Sequence, residues 1–271
     1  MTMPLKYSAN LSMLFKELPD LVARYTAAKA AGFSAVEVSF PYDIPVEKLV
    51  EVKEREGLEQ VLVNSFPGDL KAGELGQAAV PGKEKEFREN LEISVKYCTA
   101  LKCPRLHVMA GRIPECKEQE KTKLLIRMEE TFIENLKYAA ERLSKDGILA
   151  LIEPINNIVS IPDYFLNRQD QGVEIIQKVN HSNLKLQMDL FHVQIMEGNV
   201  SNTIKKFFPY IGHMQMAQIP LRNEPSADGE LNYDYIVAYI ESLGYEGWMG
   251  AEYIPVSGKT EETLKWLGKY R

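Results

Sequence analysis

The chain predicts an α/β fold in which eight parallel strands close into a single (β/α)8 barrel, a TIM barrel, ringed by helices. Three observations carry this expectation. Apolar, β-branched runs of strand length recur eight times, helical patterns separate them, and glycines fall where several of those helices should end. The first run spans residues 5–11. Gly32 closes the helix before the second run, 35–40, and Gly57 closes the one before the third, 60–66. The fourth run, 105–110, precedes the clearest helical pattern. Between Thr122 and Ser144, Leu125, Met128, Phe132, Leu136, Ala139, Ala140 and Leu143 recur at three and four and mark one buried face, while Glu129, Glu130, Glu134, Lys137, Glu141 and Arg142 cover a solvated one. Gly147 ends that helix ahead of the fifth run, 148–153. The sixth and seventh occupy 184–190 and 211–217, and Gly244 announces the eighth, 248–253. An open doubly wound sheet is the competing arrangement, but no G-x-G-x-x-G turn follows the first strand.

Composition fits a barrel of one domain, expected to cover residues 1–271. With 45% hydrophobic residues the chain can bury a large core, and a net charge of -6 with a pI near 5.5 opposes a nucleic-acid partner. Residues 1–15 lack the pattern of a secretory signal, and no apolar run reaches membrane-spanning length, so a cytoplasmic protein without a membrane partner is expected. Cys98, Cys103 and Cys116 are an odd count without paired metal spacing, which reads as reduced thiols. Three long connections, 67–82, 111–121 and 156–170, follow strands. In a barrel they should lie over the mouth as lids.

The chemistry is concentrated where four apolar runs stop. Ala-Leu-Ile-Glu-Pro (150–154), Leu-Gln-Met-Asp-Leu (186–190), Gly-His-Met-Gln-Met (212–216) and Met-Gly-Ala-Glu-Tyr (249–253) each place one oxygen-bearing side chain at a strand end: Glu153, Asp189, Gln215 and Glu252. Taken singly, each is more often a loop acceptor or a helix cap. Four in consecutive strands point to a divalent cation, and carboxylates with an amide and no thiol favour Mg²⁺ or Mn²⁺. Alternation puts Leu149, Leu151, Lys185, Gln187, His213 and Gly250 on the same, axial side, with Ala150, Ile152, Leu186, Met188, Met214, Met216, Met249 and Ala251 turned to the helices. Lys185 and Gln187 lie deeper and read as barrel packing. His192 and His107 each have an alternative as a hydrogen-bonded core histidine, the ordinary reading of His107. Glu37 belongs at the end of the second strand, in a substrate hydroxyl network or in a structural role. Arg222 lies in a loop and suits a carboxylate, although a surface arginine is the commoner case.

Several segments together resemble hydroxypyruvate isomerases, within the xylose-isomerase-like barrels. They are Glu153-Pro-Ile-Asn156, Asp189-x-x-His192, Gly212-His-Met-Gln215, Gly229-Glu230 before Asn232-Tyr233, Gly247-Trp-x-Gly-x-Glu-Tyr253 and, in the amino-terminal half, Ala9-Asn-Leu-Ser-Met-Leu-Phe15, Phe40-Pro-Tyr42, Gly68-Asp69, Gly73-Glu74 and Pro81-Gly82. The resemblance implies interconversion of hydroxypyruvate and tartronate semialdehyde. It implies Glu153, Asp189, Gln215 and Glu252 as metal ligands, Glu153 and Glu252 as the acid/base pair, and His192, Arg222, Glu37 and His107 as substrate-binding residues. The substrate would be a small hydroxy-carbonyl acid, and a homo-oligomer is compatible with it. The chain departs from the family pattern at Phe191, Gln218, Leu221 and Asn223, near the inferred substrate loop. A ketose 3-epimerase on the same barrel and a catalytically silent binding protein are the alternatives; a barrel endonuclease would need more histidine and a basic face.

Overall fold

A computed structural model describes residues 4–270, so the ends of the expected domain, residues 1–3 and 271, lie outside it. The chain runs β1 (Lys6–Asn10), α1 (Leu21–Ala30), β2 (Ala35–Val38), α2 (Val46–Glu56), β3 (Glu59–Asn64), α3 (Glu84–Leu101), β4 (Arg105–His107), α4 (Glu118–Ser144) and β5 (Leu149–Ile152). It continues through α5 (Gln169–Val179), β6 (Leu184–Asp189), α6 (Leu190–Met196), α7 (Val200–Phe207), β7 (Ile211–Met216), α8 (Tyr233–Ser242), β8 (Trp248–Ala251) and α9 (Lys265–Lys269). All eight strands are parallel and the sheet closes β8 onto β1, as the alternation requires. Gly32, Gly57, Gly147 and Gly244 all have positive φ just beyond their helices.

The strand residues expected to face the helices, Ala150, Ile152, Leu186, Met188, Met214, Met216, Met249 and Ala251, belong to the main core cluster together with Met128, Phe132, Leu136, Ala139, Ala140 and Leu143 of α4. Burying such faces on both sides of each strand is what makes the runs nearly continuously apolar. Closure needs stagger, and the register shifts between Val36 and Glu37 on β2 and between Leu186 and Gln187 on β6. Lys185 departs from its expected packing role. Its ammonium reaches the backbone carbonyl of Pro209 at 2.8 Å, because so near the lower end of the barrel a long side chain can carry its charge out to water. Among the described residues no helix is long and apolar enough to cross a membrane.

The three long connections are not free lids. Gly76 pairs with Ala110 and Arg112 with Tyr164 in isolated antiparallel bridges. The Ala79 N–H donates to the Ala110 carbonyl at 2.8 Å, the Ile113 N–H to Asp163 at 2.7 Å and the Phe165 N–H to Gly111 at 3.0 Å. Arg112 donates to Gly73 and Pro162, and Asn135 of α4 donates to Ala78 from below. Backbone groups that a mobile loop would leave to water are paired here loop to loop. Residues 111–121 brace their neighbours and do not line the mouth, which takes Leu75 and residues 159–161 from the other two connections.

Gly76 packs tightly in this belt: its φ is +104°, and a Cβ there would lie 2.5 Å from the Met109 carbonyl oxygen. Gly76→Ala should therefore lower unfolding free energy by about 1–3 kcal/mol in chemical denaturation, with protease sensitivity increasing at residues 67–82.

Candidate active site

The open, C-terminal end of the barrel holds a cavity of about 610 Å³. Glu153, His192, Arg222 and Glu252 reach its wall, with Ser39 and Asn64 as further polar groups and Met13, Phe40, Met109, Ile155, Phe191 and Ile254 among the apolar ones. Glu153 and Glu252 lie just past the ends of β5 and β8, while Asp189 and Gln215 are still within β6 and β7, where they are directly paired in register. Asp189 has two tasks. Its Oδ1 accepts the Phe191 N–H at 2.9 Å and so caps α6, and its Oδ2 accepts from Arg222 at 2.9 Å. The cap expected of an isolated acid and the site group expected of the constellation are the same residue.

Beneath the cavity runs a buried row of hydrogen bonds. Glu37 accepts from Ser8 Oγ at 2.6 Å, His213 Nε2 at 2.8 Å and Gln215 Nε2 at 2.8 Å. Gln187 Nε2 then donates both to Gln215 Oε1 at 2.7 Å and to Glu153 Oε2 at 2.8 Å. Burial opposes ionisation of Glu37, but His213 and the hydrogen bonds from His213, Ser8 and Gln215 outweigh it and hold the carboxyl below its usual range. Gly250 makes room for this row. A Cβ there would overlap the Glu37 carboxylate and lie 2.8 Å from Gln215 Cγ.

His107 and Glu37 stand under the cavity and do not line it. His107 Nδ1 is 3.2 Å from Glu153 Oε2, yet neither ring nitrogen makes a well-formed hydrogen bond, so it is not the satisfied core histidine its setting suggests. His192 is placed by Asn156. The Asn156 Oδ1 accepts the Val159 and Ser160 N–H groups, which turns its Nδ2 toward His192 Nδ1 at 2.7 Å. The ring proton then belongs on Nε2, 3.5 Å from Asp189 Oδ2 and 3.6 Å from Glu153 Oε1, as a donor facing the site.

Arg222 donates from Nη2 to Asp189 and, at 2.8 Å, to Glu252, and its guanidinium lies 4.8 Å from the centre of the Phe191 ring. It is not a surface arginine. Asn10 completes the shell: its Oδ1 accepts the Ser12 N–H, leaving Nδ2 to donate to Glu252 Oε1 at 3.0 Å. Of the departures from the family pattern, Gln218 is buried and braces its loop through Ala227 and Leu231, Asn223 ties that loop to Ile254, and Leu221 stands 71% exposed at the rim.

Three carboxylates, Glu153, Asp189 and Glu252, thus face one guanidinium, which leaves two negative charges uncompensated when all are ionised. Burial first, then the charges of Glu252 and Asp189, push Glu153 well above the usual carboxylate range. Burial likewise pushes Glu252 up to about 8, Arg222 opposing and Asp189 and Glu37 adding to the rise. Glu153, Asp189 and His192 each bring a potential ligand atom within 4.8 Å of the others. An oxygen-rich set short of two positive charges fits a hard divalent ion. Sequence reasoning put Gln187 and His213 on the axial side, assigned Gln187 to barrel packing where it in fact ties Glu153 to Gln215, gave His213 no task and did not single out Ser8. Their signal was alternation, since each is a polar residue facing inward.

The fold and this carboxylate-lined mouth define a sugar-isomerase type of barrel, and the chain belongs to the xylose isomerase-like TIM barrel family, which it matches over residues 25–270. Within that family it is a member of the hydroxypyruvate isomerases. It is 42% identical over 267 residues to the hydroxypyruvate isomerase of Escherichia coli, covering 98% of this chain and 100% of that one. It is 43% identical over 265 residues to the 2-oxo-tetronate isomerase of Cupriavidus necator, covering 98% of each. A crystal structure described as AP endonuclease, family 2, from Brucella melitensis has a TM-score of 0.92 at 42% identity, covering 99% of this chain and 100% of that one.

Two outcomes follow from this geometry. Burial lowers the His107 pKa to about 3, and Glu153, itself favouring its protonated form, offers little countercharge. An unfolded histidine takes up its proton near 6.5, so between those values the unfolded chain binds more protons and stability falls as pH drops. In metal-free protein, His107→Gln should flatten the dependence of unfolding free energy between about pH 6 and pH 4 by up to about 1.4 kcal/mol per pH unit. Gly250→Ala should destabilise by about 1–3 kcal/mol in thermal or urea unfolding, because the Glu37 carboxylate has nowhere to retreat.

Proposed function

We propose that this isomerase interconverts hydroxypyruvate and tartronate semialdehyde, with Glu153 and Glu252 as the proton-moving pair. The observation that carries this reading is that both carboxylates line one cavity; without an ion, burial also raises both above the usual carboxylate range, Glu252 to about 8. A carboxyl near neutrality can take up and return a proton at physiological pH. One of the pair removes a proton from C3 of hydroxypyruvate and the other delivers one to C2, while the O3 proton passes to O2. Atoms and charge are then conserved: the ketone becomes an alcohol and the terminal alcohol an aldehyde.

Glu153, Asp189, Gln215 and Glu252 would hold the divalent ion, Mg²⁺ or Mn²⁺. When bound, such an ion supplies fixed positive charge beside the oxygens that become negative. His192 orients a substrate oxygen through its Nε2–H, and Arg222 pairs with the substrate carboxylate. Glu37 acts from beneath by fixing Gln215, Gln187 holds Glu153, and His107 stands beside Glu153 without a hydrogen bond to it. A four-carbon 2-oxo acid is the second reading of the same site. The Cupriavidus necator relative carries that name. Net charge of -6 weighs against a nucleic-acid substrate. The proposal also takes residues 1–271 as one catalytic domain working in the cytoplasm.

Proton NMR of the metal-supplemented protein with hydroxypyruvate in heavy water tests this directly. Tartronate semialdehyde should form with deuterium entering at carbon, and Glu153→Gln and Glu252→Gln should each slow turnover by about 100-fold or more while remaining folded. Wild-type rates in both variants would sink the two-carboxylate mechanism. Turnover of the four-carbon acid alone would select the second reading.

A further inference from the structure

Both oxygens of Asp189 and both of Glu252 are already engaged. Asp189 Oδ1 accepts the Phe191 N–H, and Glu252 Oε1 accepts Asn10 Nδ2. The remaining two, Asp189 Oδ2 and Glu252 Oε2, converge on a single atom, Arg222 Nη2, at 2.9 and 2.8 Å. They are the oxygens not held by a neutral donor, and a cation bridging the two carboxylates needs both of them. Arg222 is seated there by the Phe191 ring and by its own Nε on the Glu252 carbonyl at 3.2 Å, yet it also lines the cavity.

We propose that Arg222 competes with the divalent ion for Asp189 and Glu252, and that a substrate carboxylate, by drawing the guanidinium toward the cavity, opens the cation's place. This rests on the ligand set given under Proposed function. A guanidinium and a divalent ion cannot share the same two oxygens in a water-poor site without strong repulsion. A displaced guanidinium that stays buried needs another anion, and a 2-oxo acid brings one that it can grip with two N–H groups. Ion and carboxylate therefore bind with positive coupling through one side chain, and the coupling is reciprocal: each tightens the other by the same factor.

The test measures Mn²⁺ binding to the full-length, chelator-stripped protein by electron paramagnetic resonance of free Mn²⁺. It is run with and without saturating pyruvate, a 2-oxo acid that lacks the C3 hydroxyl. Wild-type affinity for Mn²⁺ should rise roughly tenfold with pyruvate. Arg222→Gln should bind Mn²⁺ more tightly than wild type without pyruvate and gain less than about twofold from adding it. Arg222→Lys, which keeps the charge on one nitrogen, should retain part of the coupling, and circular dichroism checks that both variants are folded. Mn²⁺ binding in Arg222→Gln no tighter than in wild type, or equal pyruvate coupling in both, overturns the competition alone. No Mn²⁺ binding by any of the three proteins overturns it together with the ligand assignment, and turnover of hydroxypyruvate by the stripped protein then decides whether the isomerase reading stands.

Discussion

Four acidic groups sit at the mouth of the barrel, Glu37, Glu153 and Asp189 buried and Glu252 nearly so, and the arrangement of the open end follows from how each is compensated. Glu37 is satisfied by Ser8, His213 and Gln215. Asp189 and Glu252 share Arg222. Glu153 is left with the neutral Gln187 amide and an unengaged His107 nearby, so burial and its acidic neighbours act on it most strongly. The gradient runs from a carboxyl held below its usual range to one that burial pushes well above it, along hydrogen bonds whose direction the two glutamine amides set. A buried charge costs several kcal/mol unless paired, so this gradient sorts structural acids from reactive ones.

The barrel was legible because its strands are buried on both faces and its helices end on glycine, two patterns that need no knowledge of contacts. The candidate ligands were legible for a similar reason: Glu153, Asp189, Gln215 and Glu252 interrupt apolar runs at equivalent places. The supporting row was harder to read. Gln187 and Ser8 look like interior filling until the neighbouring strands are placed beside them, since their partners lie 34 and 29 residues away in sequence. Loop length put residues 67–82 and 156–170 at the mouth correctly but misled about 111–121 and about how free all three are, because length says nothing about whether backbone groups find one another. Lys185 misled because alternation gives the face of a strand and not the reach of a four-carbon side chain.

Asp189 shows why single-residue arguments divide where constellations do not. A helix cap and a site carboxylate call for the same residue type at the same kind of position, and one carboxylate offers two oxygens. Using one to start α6 fixes the torsion of the other, so the beginning of that short helix and the aim of the site group are one structural fact. Relatives named for the three-carbon acid match this chain at 42–50% identity and relatives named for the four-carbon acid at 37–43%.

The bridged belt of Gly76, Ala110, Arg112 and Tyr164 has a consequence for how such a barrel changes over generations. Substitutions in the belt are felt by the backbone pairing of three loops and, through Asn135, by α4. On the opposite rim, Leu221, Ile254 and Val256 project with more than half of their surface in water, so replacements there cost the frame little. Substitution should therefore be filtered on the belt side and tolerated on the rim, where a new side chain can meet a substrate without loss of the fold.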